Sequence, residues 1–278
     1  DDNDHVVVKH LYDNNQKSEY ILIDRANPDQ SININATLGI TPDVLTLQNR
    51  KYDRYFIYSP TTQILQSVTL SEPSPVVLLD HVLAYQTYAT NSFLYATDSG
   101  APAGKVLIKR TIGDQTYTLR SIPVQTTYLL DFTKFDGVEY DVIGSSNENK
   151  VYIYKDPIGQ IKKLPDHAIV PIQVLHVTTP NFVGFSPSAQ FIIAEHGNQF
   201  GVFDIFNSVG YNYSINQAID APQTHVSWMD GARLTFVSGG LSTIVDYDGT
   251  NLQKLVAANP AFVPMFSPDY KFTYAYTS

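Results

Sequence analysis

A chain of 278 residues that is 43% hydrophobic can bury a large core, as one closed all-β domain or as two smaller ones. Its 27 acidic against 18 basic residues give a formal charge of −9. Lacking a cluster of Lys and Arg, such a surface repels phosphate backbones, so nucleic acid is not expected as a partner. There is no cysteine, which excludes disulfides, thiolate metal sites and a cysteine nucleophile. No apolar stretch reaches membrane-spanning length, so this segment is not expected to insert into a bilayer.

With 19 Tyr, 14 Phe, 16 Pro and only 16% charged residues, the composition suits strands and turns better than helices. No run of ten or more residues spaces apolar positions at i, i+3, i+4 and i+7. In chain order, residues 5–23 ("HVVVKHLYDNNQKSEYILI") alternate on either side of a polar turn and predict a hairpin. Residues 46–59 ("TLQNRKYDRYFIYS") predict another, followed less regularly by residues 62–79. The same pair recurs as "AYQTYATNSFLYAT" (84–97) with "GKVLIKRTIGDQTYTLRS" (104–121), and as "LLDFTKFDGVEYDVI" (129–143) with "KVYIYKDPIGQIKKL" (150–164). "FSPSAQFIIAE" (185–195) and "SWMDGARLTFV" (227–237) are each followed by a further hairpin, at 200–215 and 241–256. The chain closes on "FSPDYKFTYAY" (266–276), which repeats residues 185–195 almost position for position.

The unit is thus a four-stranded meander recurring about every 40 to 50 residues, the signature of propeller blades. Residues 5–24 read as a third and fourth strand with nothing before them. Residues 261–277 read as a first and second strand with nothing after them. Joined, they complete a sixth blade. The sequence therefore predicts one all-β domain over residues 1–278, a six-bladed β-propeller of four-stranded antiparallel blades whose closing blade is shared by the two ends. Two open sandwiches would leave the complementary ends unexplained.

Residues 266–271 ("FSPDYK") and the hairpin carrying Asp246, Asp248, Gly249, Asn251 and Leu255 resemble the bacterial TolB-type, WD40-like propeller repeat known as PD40. Tyr270 stands where that repeat has Gly, and in the weaker match at 185–190 Ser188 replaces the Asp. The last hundred residues are also similar to propellers that follow PEGA domains in envelope proteins of candidate-phylum bacteria. The resemblance implies a propeller that binds proteins, glycans or envelope components rather than one that carries out a reaction. It implies an extracytoplasmic location at the cell surface or in the periplasm. A chain beginning "DDNDHVVV" is expected to be part of a longer protein with any tether upstream.

No reaction-specific motif appears. The seven histidines form no H-E-x-x-H, and residues 184–188 only approximate a nucleophile elbow, with Ser186-Pro187 belonging to the repeated turn. Asp246, Asp248 and Asn251 form half of a calcium-loop pattern but read better as an Asp-Gly hairpin turn. No cofactor or metal is expected. The alternative to a binding module is an enzyme of lyase or glycoside-hydrolase type, with Asp131, Asp141 and Glu195 as acid and base in a central funnel.

Loop lengths suggest where a partner binds. Turns within the first and last strand pairs of each blade are short, whereas residues 97–104 and 144–149 (second to third strand) and residues 27–41 and 165–180 (fourth to first strand) are long. All four fall at one end of the blades, where recognition residues concentrate. On it, Asp98, Asn147, Glu148, Asn149, His167, His176, His196 and Asn198 are the candidate binding residues. The expected partner is a protein or glycan of the envelope or a neighbouring cell, engaged by a monomer.

Overall fold

Short alternating stretches bounded by Asp, Asn, Gly and Ser become antiparallel strands throughout the computed structural model, which describes residues 4–13, 17–220 and 225–277. With 51% strand and 7% helix the protein is all-β, and its fold is a six-bladed β-propeller. The chain divides into two units, Asp1–Ile122 and Pro123–Ser278.

The first unit opens with a three-stranded sheet of β1 (His5–Tyr12), β2 (Lys17–Asp24) and β3 (Ile32–Asn33). A single helical turn follows, α1 (Ile34–Leu38). The Asn33 side chain accepts from Ala36 N at its start, and Gly39 takes the left-handed conformation at its end. One complete blade runs through β4 (Val44–Leu47), β5 (Arg54–Ser59), β6 (Ile64–Thr69) and β7 (Val76–Leu79). The next runs through β8 (Val82–Tyr88), β9 (Ser92–Thr97), β10 (Lys105–Ile112) and β11 (Gln115–Pro123). Sheets pack face to face. Tyr20, Leu22, Ile34 and Leu38 meet Leu45, Tyr55, Ile57 and Val68, while Phe56, Tyr58 and Leu65 meet Val82, Phe93 and Tyr95. A second strand is covered on both faces, so all of β9 is buried and its central residues, Phe93 to Ala96, are continuously apolar rather than alternating.

The second unit holds three complete blades. The first comprises β12 (Tyr128–Phe135), β13 (Val138–Ser145), β14 (Val151–Lys155), then α2 (Pro157–Lys163) and β15 (Gln173–Leu175). The second is β16 (Phe182–Phe185), β17 (Phe191–His196), β18 (Gln199–Asp204) and β19 (Val209–Ser214). The third is β20 (Ser227–Trp228), β21 (Arg233–Ser238), β22 (Leu241–Asp246) and β23 (Gln253–Ala257), and a hairpin of β24 (Met265–Phe266) and β25 (Thr273–Tyr274) follows. One core joins Val142, Val151, Ile153 and Leu175 to Ile192, Ala194 and Phe203; another joins Phe191, Phe200 and Val202 to Leu234, Phe236 and Val245.

The repeated F-S-P turn has a specific hydrogen-bond design. Ser186 N donates to Phe191 O (2.8 Å) and Ser186 Oγ accepts from Phe191 N (3.1 Å). Ser267 and Phe272 repeat both bonds, at 2.9 and 3.0 Å. Ala189 and Tyr270 sit at φ 60° and 57°, the left-handed position where the PD40 pattern carries Gly. Ser186 is therefore a turn residue.

Three expectations need correction. Residues 156–164 do not form a fourth strand: Asp156 accepts from Gly159 N (3.1 Å) and Pro157 occupies the first helical turn, so the chain enters α2. The fourth strand is β15, with Leu175 opposite Val151, inside the stretch read as a loop. Residues 27–41 likewise contain β3 and α1. Finally, β2 behaves as a third strand. Its last residue, Asp24, accepts from Ala26 N and Asn27 N, as Asp204 at the end of β18 accepts from Asn207 N. β3 then occupies the fourth position, opposite Ile21 and Leu22.

Candidate functional site

Within each blade of the second unit, first–second and third–fourth turns emerge at one end, which we term the turn end. Second–third and fourth–first links emerge at the other, the connection end. At the connection end, polar side chains tie separate links together. Asn149, between β13 and β14, accepts from Thr179 N through Oδ1 (3.0 Å). His196, the last residue of β17, places Nδ1 2.7 Å from Thr179 Oγ1 and 2.9 Å from Thr178 O. Gln199 Oε1 accepts from Thr178 N (3.0 Å), and Asn198 Nδ2 donates to Ile215 O (3.0 Å). Residues 178–179 are thus held by three side chains from three segments, and Thr179 sits at φ 44°. Four of the groups are exposed: Asn149, Thr178, Thr179 and His196.

Beside them lies a buried carboxylate. Glu195 is 2% exposed and its Oε1 lies 2.9 Å from His225 Nδ1. The register Phe182↔Glu195 puts both side chains on one face of the sheet, and the His225 ring stacks on Phe182 at 4.7 Å and 15°. Glu195 Oε2 has no hydrogen-bond partner among the described residues. A carboxylate holding one ring nitrogen orients the imidazole and leaves the other nitrogen to act as donor or acceptor.

The other two carboxylates of the enzymatic alternative do not share a site. Asp131 lies opposite Val142, so it and Asp141 project from opposite faces of their blade. Burial raises Asp131 to about 6 against the backbone N–H groups of Phe132 and Phe185. Asp141 is wholly buried.

The structure thus brings together Asn149 and His196 among the candidate residues, through residues 178–179, while Asn198 is tied to Ile215 instead. Asn147 and Glu148 stay within their own tight turn, where Glu148 N donates to Ser145 O (3.3 Å). His176 is exposed just after β15. His167 follows α2, in a third–fourth connection, and so belongs to the opposite end of its blade from the one expected. Asp98 lies in the first unit, with Oδ1 3.1 Å from His81 Nδ1. Sequence reasoning missed Thr178, Thr179, Gln199 and His225. Only Thr178-Thr179 offered a signal, as paired hydroxyls before a proline.

At the other end, carboxylates are consumed by the turns themselves. Asp246 Oδ2 accepts from Asn251 Nδ2 (2.5 Å), and Asp248 Oδ1 accepts from Thr250 N and Oγ1 (3.0 and 2.7 Å). Among the described residues no three His, Cys, Asp or Glu side chains are placed to hold a metal, and no helix is long and apolar enough to cross a membrane.

No protein-family model matches the chain, and no curated protein matches it. Solved structures do. A Bacteroides uniformis protein assigned as a 6-phosphogluconolactonase shares 14% identity at TM-score 0.58, covering 98% of this chain and 89% of its own. A chain of the mitotic checkpoint complex shares 10% at TM-score 0.56, covering 98% and 80%. Hsv2 of Kluyveromyces lactis shares 11% at TM-score 0.52, covering 88% and 72%. Neighbours with such different roles at such low identity have one thing in common with this chain, which is a WD40-like β-propeller fold.

Proposed function

We propose that the protein is a non-enzymatic binding or scaffolding propeller that engages a protein or glycan through the connection end of its blades. The observation that carries this reading is the set of exposed polar groups, Asn149, Thr179 and His196, held in place by bonds between links rather than within them. Loops on a rigid scaffold, braced in this way, present preorganised donors and acceptors to a partner. The turn chemistry of Ser186 and Ser267 supports a TolB-type repeat. With the acidic charge, it supports a bacterial envelope or surface protein, extracytoplasmic and monomeric, of the PEGA-associated kind. The test is a glycan array together with capture from envelope extracts, comparing the native chain with an Asn149→Ala/His196→Ala variant. Binding should fall at least about tenfold in the variant. Equal binding by both would remove the face assignment.

The sixth blade is proposed to combine β1, β2 and β3, as its second to fourth strands, with a first strand from residues 261–277. A chain lacking residues 261–277 should then lose cooperative unfolding, not merely a few contacts. Unchanged cooperativity would contradict the sharing.

A second reading, an enzyme, is favoured by one observation: the buried Glu195 holding His225. Turnover of a lactone or glycoside that disappears in Glu195→Gln, with binding retained, would establish it.

A further inference from the structure

A cavity of about 340 Å³ opens within the second unit, between the residues that follow β19 and the blade β20–β23. Its walls are mainly apolar, formed by Ile215, Phe236 and Leu252. Its polar lining is almost entirely self-satisfied. Thr243 Oγ1 donates to Leu241 O (3.1 Å), and Ser238 Oγ lies 3.1 and 3.0 Å from the carbonyls of Gln217 and Ala218. Beyond these lie the Asn216 amide and, at the rim, Lys254, whose Nζ donates to Gln217 Oε1 (3.2 Å). No carboxylate pairs with this ammonium among the described residues. Gln217 is itself positioned: a Cβ on Gly239 would meet both Nε2 and Oε1 of its amide at 2.6 Å, so the amide lies directly over that glycine.

An apolar pocket of this size with a few convergent polar groups has the makeup of a small-molecule site. In a chain of net charge −9, an uncompensated cation at the mouth of an apolar cavity selects the sign of the ligand's head group. We propose that this cavity binds a small amphiphilic anion, a medium-chain or aryl carboxylate. The apolar body would lie between Ile215, Phe236 and Leu252, and the carboxylate would lie on Lys254 and the Gln217 amide. The site is distinct from the residue 178–179 cluster and independent of the proposed partner-binding role.

Octanoate is the probe. Calorimetric titration of the full chain should show one saturable site, and methyl spectra should shift at Ile215 and Leu252. Lys254→Met keeps the apolar stem of an exposed side chain and should still fold, yet weaken octanoate at least about tenfold. Octan-1-ol and octylamine should bind the native chain at least about tenfold more weakly than octanoate. The proposal is overturned if octanoate does not saturate by about 10 mM, a level weaker than any small-molecule site of this kind needs. It is equally overturned if Lys254→Met binds octanoate as well as the native chain does, if octan-1-ol binds equally well, or if the shifted methyls lie elsewhere.

Discussion

The two ends of the blades in the second unit use polar residues in opposite ways. At the turn end, hydrogen bonds close over a few residues: Ser186 to Phe191, Asp204 to Asn207, Asp246 to Asn251. Side chains there complete local backbone geometry and have little capacity left. At the connection end, bonds join distant segments: Asn149 to Thr179, His196 to residues 178–179, Glu195 to His225. Those groups meet only because the blades pack, and several keep an exposed edge. Acidic or amide residues of the same type are thus structural at one end and available for recognition at the other.

The largest effect should come from the turn end. Gly249 sits at φ 86°, and a Cβ there would meet the Tyr213 ring at 2.6 Å. Gly249→Ala should cost about 2–4 kcal/mol, read as a lower midpoint in urea, because both the backbone and a half-buried, packed ring must move. A cost under about 0.5 kcal/mol would show that the turn is not braced in this way.

Next is Asp131, on the inner strand β12. Its carboxyl is raised from 3.8 to about 6, chiefly by burial. A carboxyl raised on folding binds its proton more tightly in the native state than in the unfolded one. It therefore favours the fold fully below about pH 4, and that contribution is lost as pH rises to about 6. Asp131→Asn, which retains an acceptor for Phe132 N, should remove that decline and stabilise the protein by about 1–3 kcal/mol at pH 7.5. Identical pH–stability curves for the two proteins between pH 4 and 7 would contradict it.

The smallest stability effect should come from the connection end. Asn149→Ala and His196→Ala should each cost about 1 kcal/mol or less while reducing partner binding. A larger loss would move those residues into the structural class and dissolve the contrast.

The repeat was legible because its turns obey local chemistry: Ser-Pro after an aromatic, Asp-Gly before a strand, left-handed residues at fixed offsets. Second strands were legible from the turn that precedes them, although β9 is buried at every position rather than at alternate ones. Fourth strands were legible where a tight turn precedes them, as in β11, β19 and β23. β15 and β3, of three and two residues, are too short to carry a period-2 pattern. That is why α2 was read as a strand, although Asp156-Pro157 already carries a helix-start signal, and why β3 was read as a loop. The same weakness sent His167 to the wrong end of its blade. Asn149, His196 and Asn198 were found because loop length marked their end of the blade. His225 was missed because its partner lies 30 residues away.

Sequence alone therefore determined the strand-and-turn rhythm, the blade unit and the chemistry of each tight turn, because those depend on neighbours within a few residues. Only the tertiary structure decided which polar groups meet. Whether Glu195 finds His225, whether residues 178–179 are clamped, and whether Lys254 stands over an apolar cavity all depend on how one packed sheet is set against the next. That setting comes from the shape of the apolar layers between sheets, and no local pattern encodes it.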